Sequence, residues 1–445
     1  MVKTDFGSDF QWGVSTAALQ TEGAWDTDGK GPSIWDVFTQ RKGKIKHGHR
    51  ADVACDFYHR YREDLALVKQ LHIPNFRFSL SWPRILPNGV GMSNNKGLDF
   101  YDRLIDHCLE QGITPWVTLY HWDLPQALQE KGGWTNRDVV SWLLDYAECV
   151  ARRYGDRVKR WMVLNEPTVF TGAGYFFGVH APGLTGLRHF FPAAHHAALA
   201  MGQVGRLLRS EVVNASVGTT FSCSSIHSAS SRRRDVEAAK RADALINRLF
   251  IEPLLGMGYP VSDLKALRGM EKYMQAGDDG LLPFDFDFIG IQNYTREVVQ
   301  HSMFVPYLRA RICQAERRGV QPTTEMGWEV YPEAIYEMIK KFGAYPNVPK
   351  IYVTENGAAF PDTVSNGRIA DHQRTHYLQS HLAQVLRAKQ EGNNVHGYFV
   401  WTLTDNFEWS EGYQPRFGLV HVDFDTQQRT LKDSGKWYGQ FLSSE

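Results

Sequence analysis

Short, uninterrupted apolar runs recur along the chain, at residues 10–15, 76–80, 113–119, 161–164, 215–219, 288–291, 351–354 and 395–401. A run that is apolar on both faces suits a parallel strand covered on both sides. Between the runs the period lengthens to that of a helix. Phe57, Tyr61, Leu65 and Val68 fall on one stripe, and Leu378, Leu382, Val385 and Leu386 on another. Eight strands alternating with amphipathic helices predict a parallel α/β architecture. No linker, low-complexity block or repeat interrupts the pattern, so residues 1–445 are expected to form one catalytic domain. At this level a closed barrel and an open doubly wound sheet look alike.

The polar residues at the strand ends favour the barrel. Arg77, His121-Trp122, Asn165-Glu166, Gln292-Asn293-Tyr294, Glu355-Asn356 and Trp401 each lie at or near the end of an apolar run. In a (β/α)8, or TIM, barrel all such ends converge on one face. An open sheet would gather only those beside its switch point.

Two of these residues carry the chemistry. Glu166, in Val-Leu-Asn-Glu-Pro, and Glu355, in Val-Thr-Glu-Asn-Gly, each end an apolar strand and are followed by a breaker. A carboxylate at that depth is costly unless paired or useful. Cleaving an acetal needs two carboxyls flanking the bond, one to protonate the leaving oxygen and one to support the oxocarbenium-like carbon. The bland alternative is a structural carboxylate at each helix N-terminus. The surrounding amide and aromatic groups weigh against it.

Composition narrows the partners. With 49 basic and 49 acidic residues, no net field attracts nucleic acid or an anionic membrane surface. The run Arg232-Arg233-Arg234 is too short to change this and reads as a solvated loop. No stretch approaches the ~20 apolar residues of a membrane span. The N-terminus shows no apolar secretion signal, so a cytoplasmic address is expected. Cys55, Cys108, Cys149, Cys223 and Cys313 are scattered and read as reduced, mostly buried thiols. His47-x-His49 and His195-His196 lack companions at metal spacing, and Gly172-x-Gly174 lacks a dinucleotide context, so neither metal nor cofactor is expected. The 13 Trp exceed what a core needs and suit a sugar site, where a pyranose face stacks on indole.

At this point several motifs together resemble glycoside hydrolase family 1, the β-glucosidase family, from Phe10 to about Phe441. They are Gln20-Thr21-Glu22-Gly23, Phe76-Arg77-Phe78-Ser79 with Trp82, Tyr120-His121-Trp122-Asp123-Leu124-Pro125, Asn165-Glu166-Pro167, Thr354-Glu355-Asn356-Gly357 and Asn406-Phe407-Glu408-Trp409. The resemblance implies a (β/α)8 barrel that hydrolyses β-glycosides with retention and without metal or organic cofactor. β-Glucosides are the first expectation, and β-galactosides or β-fucosides the second. By similarity, Glu355 is the nucleophile and Glu166 the acid/base, supported by Arg77, Tyr294 and Asn165. The same resemblance assigns Gln20, His121, Asn165, Glu408 and Trp409 to the sugar hydroxyls, with Trp122 beside them. Trp401 becomes the stacking platform and Trp328 the aglycone-side aromatic.

Two departures from the family pattern stand out. The family usually reads Asn-Tyr-Tyr-Thr where this chain has Gln292-Asn293-Tyr294-Thr295. Aligned without a gap, Gln292 replaces the Asn and Tyr294 keeps its place beside the nucleophile. Exchanging Gln292 for Asn is then expected to be mild. Leu19 stands where an aromatic usually precedes the Gln. The family's phospho-glycosidases replace the residue at 408 and add a Lys and Tyr. This chain keeps Glu408-Trp409-Ser410, which implies an unphosphorylated sugar. Plant thioglucosidases carry Gln where Glu166 stands.

Overall fold

A computed structural model describes residues 1–444. Eight strands form its centre: β1 (Gln11–Ser15), β2 (Asn75–Ser79), β3 (Thr114–Tyr120), β4 (Arg160–Asn165), β5 (Ser216–Ser222), β6 (Phe288–Gln292), β7 (Lys350–Asn356) and β8 (Val395–Trp401). Each pairs in parallel with its neighbour in sequence, and β8 returns to pair with β1, so the sheet closes. All eight expected strands are present, with ends displaced by at most three residues. The closed ring resolves the ambiguity left by periodicity in favour of the barrel.

Helices wrap the ring. In α1 (Phe57–Gln70) the buried stripe includes Phe57, Tyr61, Leu65 and Val68. α2 (Asn95–Glu110) and α3 (Val139–Tyr154) follow, then a short α4 (Pro167–Tyr175) and the long α5 (Leu187–Glu211). α6 (Glu333–Gly343) precedes α7 (His372–Gln390), whose buried face includes Leu378, Leu382, Val385 and Leu386. α8 (Asp433–Ser443) closes the chain against β1, where the Tyr438 hydroxyl donates to the Gly13 carbonyl at 3.2 Å. The Arg232–Arg234 run is solvated, but Arg233 and Arg234 open a helix, Arg233–Asp243. The reason is its other face: Ala238 and Ala242 bury against Val299 and Ala310.

The barrel is plugged below its mouth. Trp116, Met162, Phe288, Tyr352 and Phe399 form one buried cluster contributed by β3, β4, β6, β7 and β8. Trp116 meets Phe399 and Tyr352 edge to face, with ring centroids 4.9 and 5.1 Å apart. Room for Phe399 comes from β1, where a Cβ on Gly13 would stand 2.2 Å from its ring. Small and large residues thus alternate around the ring and leave no through-channel. Only the C-terminal end stays open.

Candidate active site

A cavity of about 350 Å³ opens at that end. Glu166, Glu355, Tyr294, His121, Trp122, Trp328, Trp401, Glu408 and Trp409 line it. Gln20, Arg77, Asn165 and Gln292 stand behind the wall and bond to the residues that form it. Every site residue expected from sequence therefore gathers here: Arg77, Asn165, Gln292, Glu355 and Trp401 from five strands, the others from the segments beyond strand ends. Arg77 lies within β2 and not at its end; its side chain points inward above the plug, with Nε 3.2 Å from Thr118 Oγ1.

Local backbone irregularities aim the two carboxyls. The β6–β7 register slips between Val353 and Glu355, so that Glu355 comes to lie opposite Gln292. Such a bulge re-aims the side chain at the strand end. Gly357 follows because a Cβ there would stand 1.9 Å from the Trp401 carbonyl oxygen. Asn356 is spent on structure: it donates to Asn293 O at 2.6 Å and accepts from the Tyr398 hydroxyl at 2.6 Å. Glu166 follows β4 with φ of 45°, in the left-handed region, and caps α4 ahead of Pro167. Its backbone N–H donates to Thr220 O at 3.0 Å, which holds this uncommon conformation in place.

Glu355 is surrounded by donors. Arg77 Nη1 reaches its Oε1 at 2.5 Å, Gln292 Nε2 the same oxygen at 2.7 Å, and the Tyr294 hydroxyl its Oε2 at 2.8 Å. Burial raises the Glu355 carboxyl above its ordinary range, while Arg77 and Tyr294 pull it back down. Glu166 has burial and the nearby Glu355 charge acting together, so it is raised well above its ordinary value. The pair is therefore split: Glu355 loses its proton first, and Glu166 keeps its own.

Asn165 ties the donors together. Its Oδ1 accepts from Arg77 Nη2 at 2.6 Å, Gln292 Nε2 at 2.7 Å and Thr220 Oγ1 at 3.0 Å. That fixes its amide, whose Nδ2 then donates to His121 Nε2 at 3.0 Å. His121 is buried, which holds it neutral, so its proton sits on Nδ1. Among the described residues that Nδ1 has no protein partner, and neither has Gln20 Oε1, although both are buried. Buried polar atoms without partners are costly, and a polyhydroxylated ligand would satisfy them. Gln20 Nε2 meanwhile lies 3.1 Å from Asn406 Oδ1 and 3.4 Å from Glu408 Oε2. Burial pushes the Glu408 carboxyl up to about 8, with Glu355 adding to the effect.

The aromatic residues divide the labour. Trp122 spends its indole N–H on the Asn165 carbonyl at 2.8 Å and packs at a tilt against Trp409, with centroids 4.3 Å apart. It positions Trp409 and offers the cavity only a ring face. Trp401 packs with Phe417, near Tyr294 and Trp328, along one wall.

Several lining residues carried no usable signal in the sequence. His180 is half-buried against Trp122, Trp35 and Trp409 and is held neutral, its value lowered to about 4 by desolvation. Ser222, Phe417 and Glu297 also line the cavity. Thr220, behind the wall, could have been found only from its strand partner Asn165.

Outside the site, His195 bonds Asp278 and Tyr259 at 2.8 Å each, and His196 bonds Trp134 O at 2.9 Å, so this pair packs within the fold. All five cysteines are unpaired, with Cys55, Cys108 and Cys223 buried. No described helix is long and apolar enough to cross a membrane.

A sequence model of Glycosyl hydrolase family 1 matches residues 2–445. The chain is 42% identical to Beta-glucosidase A of Acetivibrio thermocellus, covering 100% of this chain and 99% of that one. It is 39% identical to a bifunctional beta-D-glucosidase/beta-D-fucosidase of Bifidobacterium breve, with 98% of each chain covered. A solved structure of a family 1 β-glucosidase from Thermotoga maritima superposes with a TM-score of 0.95 at 42% identity, over 99% of both chains. Another from the same organism, in complex with deoxynojirimycin, superposes with a TM-score of 0.95 at 43% identity over 98% of both.

Proposed function

Because this chain belongs to glycosyl hydrolase family 1, we propose that it removes an unphosphorylated sugar, glucose first, from β-glycosides, with Glu355 as nucleophile and Glu166 as acid/base. It is a glycoside hydrolase of the retaining kind. The observation that carries the residue roles is the split between the two carboxyls. Three donors hold Glu355, while Glu166 is buried beside its charge.

In the first step Glu355 attacks the anomeric carbon as Glu166 gives its proton to the departing oxygen. The negative charge that had raised Glu166 is consumed in the new bond, so Glu166 settles as a carboxylate and stands ready as the base for the incoming water. It takes that water's proton as the water displaces Glu355, and the configuration at the anomeric carbon is retained. Gln20, His121, Glu408 and Trp409 hold the sugar hydroxyls, and Trp401 supports its apolar face. The cavity wall contains no Lys or Arg, which supports a sugar without phosphate. The bifunctional relative supports tolerance for a β-fucoside. The unpaired thiols support a reducing, cytoplasmic setting.

The experiment is chemical rescue. Glu355→Ala should lose turnover of nitrophenyl β-glucoside by at least roughly four orders of magnitude. Azide should restore it and yield an α-glycosyl azide, since one inversion replaces two. Residual hydrolysis with retained configuration would remove Glu355 from the nucleophile role.

A further inference from the structure

The wall of the cavity contains a carboxyl that the reaction does not use. Glu297 lies on the strand Arg296–His301, which leaves β6 and pairs beside Ser225–Ser228. Its side chain lines the cavity together with Ser224, Thr295, Met326 and Trp328. Its neighbours in the chain and in space are already committed. Arg296 Nη2 bonds Glu329 Oε1 at 2.7 Å, and Arg318 bonds Glu329 Oε2 at 2.5 Å. Glu411, another carboxyl of the wall, pairs with Lys46. Glu297 has neither a hydrogen bond nor an ion pair among the described residues, and the wall it belongs to has no Lys or Arg. Burial raises its carboxyl to about 7, with Arg318 opposing and Glu329 adding. A cation brought against it would supply the missing partner, and the Trp328 ring in the same wall would favour the same charge.

We propose that Glu297 sets the charge selectivity of the aglycone half, so that β-glycosides whose aglycone carries an ammonium group are preferred over neutral ones and anionic ones are disfavoured. This rests on the glycosidase reading above and names a substrate class within it. The charged groups that act on Glu297 are Arg318 and Glu329, not Glu166 or Glu355, so it is assigned to the leaving portion of the substrate. An unpaired, partly desolvated carboxylate attracts a cation more strongly than an exposed one does. It repels a carboxylate for the same reason.

The test uses three β-glucosides of one phenol, bearing 4-(2-aminoethyl), 4-(2-acetamidoethyl) or 4-(2-carboxyethyl) groups, so that the departing oxygen is nearly the same in all. Turnover of the acetamide by the unaltered enzyme tests the glycosidase reading separately; the inference concerns only the ratios. The ammonium substrate should exceed the acetamide in kcat/KM by roughly three- to tenfold, mostly through KM, and the carboxylate should fall below it by a similar factor. Glu297→Gln should bring all three within about twofold, while Glu411→Gln should leave most of the spread. Raising salt should narrow the spread of the unaltered enzyme without reversing its order. Equal kcat/KM for the three substrates in the unaltered enzyme, or a spread that survives Glu297→Gln intact, would overturn the assignment.

Discussion

The amide nitrogen of Gln292 stands 2.7 Å from Oε1 of Glu355 and 2.7 Å from Oδ1 of Asn165, bridging the two. This bears on the expectation that exchanging Gln292 for Asn would be mild. Shortening the side chain by one methylene withdraws the nitrogen by about 1.5 Å, so it cannot reach both oxygens from the same strand position. Hydrogen bonds to a charged group are worth about 1.5–3 kcal/mol. Gln292→Asn should lower kcat/KM for nitrophenyl β-glucoside by roughly ten- to a hundredfold. Parental activity in steady-state assays would show that Arg77 and Tyr294 suffice.

Tyr294 offers a pH test. Its hydroxyl lies 2.8 Å from Glu355 Oε2 and favours the ionised nucleophile, against the burial that raises it. Without that hydroxyl the neutral form gains. In Tyr294→Phe the acidic limb of the kcat/KM profile should move to higher pH, and the plateau should fall about tenfold or more. The basic limb, governed by Glu166, should stay in place, so the bell narrows from one side only. A profile unchanged in position would separate Tyr294 from the ionisation of Glu355.

Glu166→Ala should distinguish leaving groups. A dinitrophenolate departs without a proton, so the first step survives and the glycosyl-enzyme accumulates; an alkoxide does not. Stopped-flow assays should show a burst with dinitrophenyl β-glucoside, while alkyl glucosides slow by roughly a hundredfold or more. Equal slowing of both, with no burst, would count against the acid/base role.

The loop carrying Glu408 and Trp409 is anchored by buried charge. Lys432 Nζ bonds Asp405 Oδ1 at 2.6 Å and also Asp362, all fully or nearly fully buried. Burial raises Asp405, but Lys432, Arg416 and Arg374 outweigh it and hold the carboxyl below its ordinary value. A depressed folded-state value stabilises the fold above the ordinary Asp range and is lost as pH falls through the folded one. Lys432→Met should destabilise the protein by about 3–5 kcal/mol at neutral pH, by leaving the carboxylates short of a partner. Since Asp405 then takes up its proton more readily, the deficit should shrink on acidification. Urea unfolding of both proteins at pH 7 and pH 5 would measure this.

What could be read from the sequence followed from what each residue must do. The eight strands were legible because burial on both faces forces continuous apolar runs, and Glu166 and Glu355 because ionisable groups at the ends of such runs are rare. Asn165 was legible as a neighbour of the acid, but its place as a four-way junction depends on the shift that sets it beside Thr220. Trp122 was expected at the sugar, yet its indole N–H is taken by a backbone carbonyl. Glu297 escaped notice because it sits in a half-exposed strand where an acidic residue is ordinary.

The barrel closes only when β8 finds β1, and the same closure brings Gln20 against Asn406 and Glu408, residues 386 and 388 positions further along. Neither half of the chain can hold a complete sugar pocket. A ribosome-bound intermediate lacking its final segment would have both carboxyls and remain inert, and a nick that let the ends drift apart would silence the enzyme before its interior melted. Catalysis thus serves as a gauge of whether the circle is shut, and loss of activity on heating would run ahead of loss of helical circular dichroism wherever the first and last strands part company early.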